Sequence, residues 1–300
     1  MSGHLVDLHR HLDGSLRAST VEELARERQR YVPRRLKFTR GMGLDEALSR
    51  FGFLLSLLQE PAAVRRVAAE ICEDAAQEGV SVLELRFAPQ LHRAAPLEEV
   101  VDAALEGAAG RAGIILCGLY GEPPELLGRL VEAAATRPGV VGLDLAGGPS
   151  PTQRWILEDY ARPFRRAAEL GLGRTVHASE GRPPEEIAIA IEVLGAQRIG
   201  HGTTLLEDPA VLDLVVERGV TLEACLSSNE HTGAIERVSE HPLPQWLRAG
   251  VKVCLCTDNT FLSDTTLPRE RDLARRIKGM NEELLARTLE HGRAAAFRRA

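Results

Sequence analysis

Two histidines one residue apart, His9 and His11, end a short apolar run and are the first candidates for chemistry. Side chains alternate along a β-strand, so both imidazoles point to the same side if this run is a strand. Two neutral imidazoles on a rigid strand make half of a metal site, and zinc is the usual occupant of nitrogen and carboxylate sites. A lone His-x-His motif is more often a pair of surface histidines, so the interpretation depends on the rest of the chain.

Other polar side chains stand at or just after later apolar runs. If these runs are strands of one barrel, their carboxyl ends share the face on which such barrels build active sites. His9, His11, His177 and Asp258 would then supply three imidazoles and a carboxylate, enough to hold one zinc ion and leave room for a water molecule. The full set of strand-end residues is His9, His11, Arg86, Asp144, His177, Glu180, His201, Glu223, Asp258 and Asn259.

The remaining polar residues of this set are candidates for proton transfer. Glu180 follows His177 by three residues and could move protons beside a metal-bound water. His201 could polarise or deprotonate that water, or stabilise the alkoxide formed by its addition. Asp258 could share the role of base.

Arg86 and Glu223 are expected to orient ligands through hydrogen bonds, with Glu223 paired to His201. A structural ion pair inside the barrel is an equal alternative for both residues.

The elements that must position these residues form a regular series of apolar segments separated by helical ones. This alternation predicts parallel strands with right-handed crossovers, and eight strands predict an α/β fold, a (β/α)8 TIM barrel formed by residues 1–300 as a single domain. An open doubly wound sheet is the structural alternative. Besides the strand ending at His11, the expected strands are 80–87, 114–119, 140–147, 175–178, 198–201, 220–225 and 251–258. The expected intervening helices are 61–77, 97–109, 125–135, 155–170, 184–194, 209–218 and 244–249.

Additional helices are expected after the first strand and at the end of the barrel. Ser19 and Thr20 are expected to cap a helix over 21–29. A helix over 44–58 is apolar on most faces, which indicates core packing. Alternatively, its residues Phe51, Leu54 and Leu58 could wall a pocket over the barrel mouth. Two final helices are expected over 267–278 and 282–298.

Composition restricts the partners and the compartment. A formal charge of -6 argues against a polyanionic partner such as nucleic acid and favours a small neutral substrate. The five cysteines are odd in number and scattered, which is typical of a reduced cytoplasmic protein, and Cys254 and Cys256 are expected in the core rather than on a metal. We find no signal-peptide pattern and no apolar run long enough to span a bilayer, so no membrane partner is expected. The sequence does not indicate the oligomeric state.

The motifs in their order resemble those of the adenosine deaminase family from the first strand to the last. The segments that carry the resemblance are His9-Arg10-His11-Leu12-Asp13-Gly14, Leu143-Asp144-Leu145-Ala146-Gly147, His177-Ala178-Ser179-Glu180, Arg198-Ile199-Gly200-His201-Gly202, Ser228-Asn229 with Thr232-Gly233, and Thr257-Asp258-Asn259.

The resemblance implies hydrolytic deamination of adenosine or 2′-deoxyadenosine with one Zn²⁺ per chain. It also implies that His9, His11, His177 and Asp258 are the ligands and that His11 lies against the substrate. Glu180 would protonate the ring nitrogen next to the reacting carbon, and His201 would sit by the attacking oxygen and assist the departure of ammonia.

The same resemblance implies three further substrate contacts. Asp13 would accept a hydrogen bond from a ribose hydroxyl, and the backbone N–H of Gly147 would donate to a purine ring nitrogen. Asn259 replaces the usual aspartate, and its amide can donate to the imidazole nitrogen of the purine without titrating.

Two other departures bear on the substrate. Ser179 stands where the family usually has glycine, and the segment between the first strand and the Phe51 helix, which normally contributes to a substrate lid, is short. The same chemistry on free adenine, N6-methylated adenosine monophosphate or 6-aminodeoxyfutalosine is therefore an alternative. Asp13 disfavours the nucleotide, because a carboxylate repels a 5′-phosphate.

Two interpretations outside this chemistry are disfavoured. A binuclear amidohydrolase typically places a bridging lysine or carboxylate on strand four, and that strand ends Asp144-Leu145-Ala146-Gly147, without lysine. A catalytically silent nucleoside-binding barrel would be expected to have lost Glu180 or a metal ligand.

Overall fold

Eight parallel strands follow one another around a single sheet in the order of the chain. The computed structural model describes residues 5–150 and 152–297. Most strand residues are buried, which fits a sheet that is covered on both faces. Several of these buried residues are charged, among them Glu84, Arg86 and Glu223. The strands are β1 (Leu5–His11), β2 (Val80–Phe87), β3 (Gly113–Leu119), β4 (Val140–Ala146), β5 (Gly173–Ala178), β6 (Arg198–His201), β7 (Thr221–Ala224) and β8 (Lys252–Leu255).

The sheet closes between the chain beyond β8 and β1. The backbone N–H of Asp258 donates to His9 O at 2.7 Å, and the N–H of His11 donates to Asp258 O at 2.7 Å. These bonds form a parallel bridge between Arg10 and Asp258. The predicted (β/α)8 barrel is confirmed, and the open doubly wound sheet is wrong.

Helices connect the strands and extend the barrel where the sequence predicted additional ones. Their bounds agree with the predictions to within a few residues, with three differences described below. The helices are α1 (Ala18–Glu27), α2 (Leu44–Leu57), α3 (Pro61–Gln77), α4 (Leu97–Ala108), α5 (Pro124–Ala135), α6 (Ala161–Glu169), α7 (Glu185–Glu192), α8 (Pro209–Arg218), α9 (Leu226–Thr232), α10 (Leu243–Arg248), α11 (Leu267–Arg275) and α12 (Glu282–Ala295).

The differences concern the start of two helices and one short helix with little apolar periodicity. Helix α1 begins at Ala18, so Ser19 and Thr20 lie inside it instead of capping it. The expected helix over 155–170 is a 3₁₀ turn, Leu157–Tyr160, followed by α6. Helix α9, which follows β7, was not predicted at all.

Where the predicted bounds are right, the terminal residues explain them. Helix α8 has Asp208 before it, whose carboxylate accepts the N–H groups of Ala210 and Val211. Pro209 occupies the first helical position, and Gly219 ends the helix with a left-handed backbone at φ +64°.

Helix α2 lies over the mouth of the barrel and divides its side chains between two environments. Leu54 and Leu58 are fully buried in the main core, so the prediction that they wall a pocket is wrong. Phe51 does line the mouth, together with Leu48 and Leu55 from the same helical face.

The five cysteines are all buried. Cys254 and Cys256 pack with Val6, Leu8 and Cys225 in a small apolar cluster, as the core interpretation predicted. Among the described helices, none combines the length and the apolar character needed to cross a bilayer.

Helices α3 and α4 pack so closely that Gly107 has no room for a side chain. A Cβ atom at Gly107 would lie 2.1 Å from the backbone oxygen of Arg65. We expect Gly107→Ala to lower the free energy of unfolding by about 1–3 kcal/mol through overpacking, as measured by denaturant titration. Gly128→Ala is the control, because Gly128 in α5 faces open space and alanine there should stabilise the helix by about 0.5–1 kcal/mol. Equal effects of the two substitutions would contradict this account of the packing.

Candidate active site

The structure brings the four predicted metal ligands together at the carboxyl end of the barrel. His11 Nε2 lies 3.2 Å from His177 Nε2 and 3.4 Å from Asp258 Oδ1. His9 Nε2 lies 3.6 Å from the same carboxylate oxygen. His9 and His11 therefore face one point, as the alternation of a strand predicts.

Buried carboxylates fix the direction in which two of these imidazoles present their nitrogens. His9 Nδ1 lies 2.7 Å from Glu223 Oε2, and His177 Nδ1 lies 3.2 Å from Asp144 Oδ1. A carboxylate accepts the Nδ1–H of a neutral imidazole, which leaves the Nε2 lone pair free for a metal. The expected pairing of Glu223 with His201 is wrong, because β7 places the Glu223 carboxylate beside His9.

The two carboxylates are held in turn by arginines inside the barrel. Arg86 contacts Asp144 Oδ2 at 3.0 Å and Glu223 Oε2 at 2.9 Å. Arg198 contacts Glu223 Oε1 and Glu84 Oε2, each at 2.7 Å. Arg86 and Glu223 thus combine both predicted roles, orientation of ligands and ion pairing. Two arginines against three carboxylates leave one net negative charge in the buried cluster, which favours a cation nearby.

Burial also sets the protonation of the imidazoles. It lowers the pKa of His9 and of His11 well below the usual value, so both rings are neutral near pH 7. Burial alone would lower the pKa of His177 as well, but the charge of Asp144 outweighs it and raises that pKa. Burial raises the pKa of Asp258.

Glu180 and His201 stand beside these donors, as predicted from the position of Glu180 just after β5 and of His201 at the end of β6. Glu180 Oε2 lies 3.8 Å from His201 Nε2, and Glu180 Oε1 accepts the hydroxyl of Thr232 at 2.9 Å. The other ring nitrogen of His201, Nδ1, lies 2.9 Å from the side-chain nitrogen of Asn229. The sequence motifs contained Thr232 and Asn229, but nothing in their spacing indicated these contacts.

Three residues at the strand ends have a left-handed backbone although none is glycine. The φ angles are +55° at Ser179, +68° at His201 and +60° at Asp258. Such conformations cost about 1 kcal/mol or more each and cluster at functional sites. Ser179 thus adopts a backbone conformation that glycine takes more readily than other residues.

The chemistry of the donors fits a divalent cation. His9 Nε2 is buried and has no hydrogen-bond partner among the described residues. Donor atoms of His9, His177 and His201 lie within 4.8 Å of one another, and so do those of His9, Cys225 and Asp258. The sequence did not indicate Cys225 as a possible donor, because this cysteine ends an apolar run that is typical of a buried core strand.

Residues expected to contact the substrate surround two adjoining cavities. The inner chamber, about 50 Å³, has a polar end formed by His11, His177, Glu180, His201, Asp258 and Asn259. The outer chamber, about 280 Å³, is lined by His11, Asp13, Leu48, Phe51, Leu55, Ala88, Leu91, Cys117, Leu119, Tyr120, Ala146, Gly147 and Gly148. His11, Leu48, Phe51 and Gly147 line both chambers, so one bound molecule can extend across them.

Asp13, Gly147 and Asn259 each present an atom to these chambers or to their edge. Asp13 Oδ1 is buried without a hydrogen-bond partner among the described residues, and burial raises the pKa of Asp13 to about 7. Gly147 turns with φ +78° and has open space on its Cβ side. Asn259 Nδ2 donates to Asp258 Oδ1 at 2.7 Å, so one amide N–H remains for a ligand.

Gly200, in the middle of β6, leaves room for the ring of His9. A Cβ atom at Gly200 would lie 3.0 Å from His9 Cε1. We expect Gly200→Ala to displace this ring and to weaken divalent-metal binding roughly 10-fold, the lower end of the loss seen when support for a ligand is removed. Competition with a chelator followed by metal analysis measures the affinity, and Gly128→Ala provides a control in which the new methyl group enters open space. Unchanged affinity in Gly200→Ala would argue against His9 as a ligand.

Comparisons with known proteins agree with this geometry. The family model "Adenosine deaminase" matches residues 5–300. An adenosine deaminase from Shewanella halifaxensis is 35% identical over 298 residues, which are 93% of this chain and 89% of the relative. A probable adenosine deaminase from Dictyostelium discoideum is 34% identical over 97% of this chain, which spans only 40% of that longer relative.

A solved structure extends the likeness to the fold. The crystal structure of an Arabidopsis N6-mAMP deaminase has a TM-score of 0.86 at 25% sequence identity, covering 99% of this chain and 94% of the other. With a family match over almost the whole sequence and relatives above 30% identity, the chain belongs to the adenosine deaminase family, metal-dependent hydrolases that act on C–N bonds.

Proposed function

We propose that this protein deaminates adenosine or 2′-deoxyadenosine by hydrolysis, with one zinc ion per chain. Water and the nucleoside give inosine or deoxyinosine and ammonia, so that a C6–O bond forms as the C6–N bond breaks. The observation that carries this proposal is that His9, His11, His177 and Asp258 lie together beside Glu180, with His9 and His11 both near the Asp258 carboxylate and His11 near His177.

The proposed zinc site uses these three histidines and Asp258. Neutral imidazoles and a carboxylate are typical zinc donors, and a bound zinc ion would supply the positive charge that makes a water molecule acidic near neutral pH. Asp144 and Glu223 contribute by holding His177 and His9 in the tautomer that leaves Nε2 free.

Glu180, His201 and Asp258 are the residues proposed to transfer protons and to stabilise developing charge. Glu180 lines the inner chamber and gives a proton to the purine ring nitrogen next to C6, which lowers the cost of breaking the aromaticity of the ring. Thr232 holds Glu180 in place through its hydroxyl. His201 and Asp258 both line the polar end of the inner chamber, where one would stabilise the charge that develops on the attacking oxygen and the other would accept a proton.

The proposed substrate contacts place the base in the inner chamber and the sugar at Asp13. The unpartnered Asp13 Oδ1 is an acceptor in need of a donor, which a ribose hydroxyl supplies. Gly147 N–H and the free N–H of Asn259 Nδ2 are the proposed donors to the purine ring, and His11 lies against the substrate between the two chambers.

The outer chamber favours a second candidate, an adenine nucleoside with an apolar 5′-substituent. Its 280 Å³ lie beside Asp13 and are walled mainly by aliphatic side chains, among them Leu48, Leu55, Leu91 and Leu119. Among the described residues that line the two chambers there is no lysine or arginine, the usual partners of phosphate. This lining disfavours a nucleotide, although the Arabidopsis relative is named an N6-mAMP deaminase.

Ammonia release from a panel of substrates tests the proposed function. The panel contains adenosine, deoxyadenosine, adenine, methylthioadenosine, 6-aminodeoxyfutalosine and N6-methyl-AMP, and zinc is measured in the same preparation. We expect the highest kcat/KM with an unphosphorylated adenine nucleoside. A preference for N6-methyl-AMP, or protein that turns over adenosine without any divalent metal, would contradict the proposal.

Glu180→Gln tests the proton donor. The amide keeps the shape of the side chain and cannot give up a proton, so kcat should fall by about 10²-fold or more while the bound metal remains stoichiometric. Steady-state kinetics and metal analysis on the same sample check both parts. Glu125→Gln on the exposed surface of α5 is the control and should keep the wild-type kcat. A Glu180→Gln protein with wild-type turnover would exclude the assigned role.

Asp13→Ala tests the sugar contact. Loss of a hydrogen bond to a charged acceptor is worth about 1.5–3 kcal/mol, which corresponds to roughly a 10- to 150-fold lower kcat/KM for adenosine. Free adenine lacks the ribose and serves as the internal control, since its kcat/KM should change little. If both substrates lose activity equally, Asp13 acts on the site as a whole and the ribose contact is wrong.

A further inference from the structure

Behind His201 lies a row of buried polar side chains whose hydrogen bonds run in a single direction. Asn229, on α9, is fully buried and lies between His201 and His241. Its side-chain nitrogen is 2.9 Å from His201 Nδ1, and its side-chain oxygen is 3.4 Å from His241 Nε2. The other ring nitrogen of His241, Nδ1, lies 3.1 Å from the backbone nitrogen of Leu243.

The backbone N–H of Leu243 sets the direction of the whole row, because a backbone amide can only donate. His241 Nδ1 must therefore be the acceptor, and the single proton of the neutral ring lies on Nε2. Burial keeps this ring neutral by lowering the pKa of His241 to about 3. Trp246 packs edge-on against the ring at 5.0 Å and fixes its plane.

The amide of Asn229 carries this direction one step further. Its oxygen accepts the Nε2–H of His241, so its NH₂ group must face His201. An amide NH₂ donates and does not accept, so His201 Nδ1 is the acceptor of this bond. A neutral His201 then has its only proton on Nε2, the atom that faces Glu180 at 3.8 Å.

We propose that Asn229 and His241 are positioning residues that fix the tautomer of His201, so that its Nε2–H enters the reaction as a hydrogen-bond donor. In this tautomer neither ring nitrogen of His201 can take a proton from water, since one already bears a proton and the other accepts from Asn229. Asp258 is then the base, and His201 stabilises the charge that develops on the oxygen. This inference rests on the proposed function for its kinetic consequence only.

Asn229→Asp reverses the bond to His201 with almost no change in shape. The carboxylate has no N–H to donate, so His201 must place its proton on Nδ1 to pair with it, and Nε2 loses its proton. In a serine protease, a single exchange between aspartate and asparagine that forces the catalytic histidine into the wrong tautomer lowers kcat by about 10⁴-fold. For Asn229→Asp we expect kcat to fall by about 10²-fold or more, with KM within a few-fold of the wild-type value.

A tautomer readout separates this role from a purely structural one. In the metal-loaded protein labelled with ¹⁵N-histidine, long-range ¹H–¹⁵N spectra distinguish an Nδ1-protonated ring from an Nε2-protonated ring, and His201→Gln identifies the His201 signal. We expect Nε2–H in the wild type and Nδ1–H in Asn229→Asp. This measurement decides the tautomer even if no purine proves to be a substrate, so failure of the proposed function and failure of this inference are distinguishable.

His241→Phe removes the start of the row without adding charge and keeps an aromatic ring beside Trp246. The amide of Asn229 is then free to rotate, so His201 should show both tautomers and kcat should fall by about 10-fold. His92→Phe is the matched control, because His92 is equally buried and lies outside the row, and it should keep the wild-type kcat and the Nε2–H signal. An Nδ1–H signal in the wild type, a wild-type kcat in Asn229→Asp, or equal effects of His241→Phe and His92→Phe would overturn the proposal.

Discussion

The guanidinium of Arg86, buried between Asp144 and Glu223, is the contact on which the rest of the site depends. Each carboxylate it binds also binds one imidazole, His177 in one case and His9 in the other. These two histidines come from β5 and β1, yet one cation in the barrel interior aligns both. Moving such ions from water into the protein interior costs free energy. Loss of any one partner would leave an uncompensated buried charge, which is strongly destabilising. The cluster therefore couples the orientation of the metal-facing nitrogens to the integrity of the barrel core.

The features of the fold and of the site that could be predicted from the sequence are those set by residues close together in the chain. The pairing of His9 with His11 follows from the two-residue period of a strand, and the eight apolar segments predicted the barrel and its active face. The sequence predicted His201 as the partner of Glu223, whereas the structure shows His9. The partner depends on the direction in which the side chain points across the barrel interior, and residue spacing does not reveal this direction. Helix α9 has seven mostly polar residues without an apolar period, so neither the helix nor the position of Asn229 was predictable.

The two chambers explain why the reaction is easier to assign than the substrate. The polar end of the inner chamber contains three of the four proposed metal ligands, His11, His177 and Asp258, together with Glu180 and His201. The outer chamber is built mostly from α2 and from residues after β2, β3 and β4, elements that carry no part of the proton transfer. Much of the outer lining thus lies apart from the donors, and side chains such as Leu55 and Leu91, which line the outer chamber but not the inner one, can vary without touching them. This arrangement is the general advantage of a barrel whose loops can change while its strands stay fixed.

The closure of the sheet has a thermodynamic consequence. The two hydrogen bonds that join the first strand to the chain beyond the last one are made by the main chains of His9, His11 and Asp258, whose side chains face the proposed cation. Ion uptake and cyclisation of the sheet are then linked equilibria, since a ligand that binds only the closed form stabilises it. Breaking these two hydrogen bonds would also separate the donor side chains. An ion bound by the donors would therefore hold the first strand and the end of the last strand together.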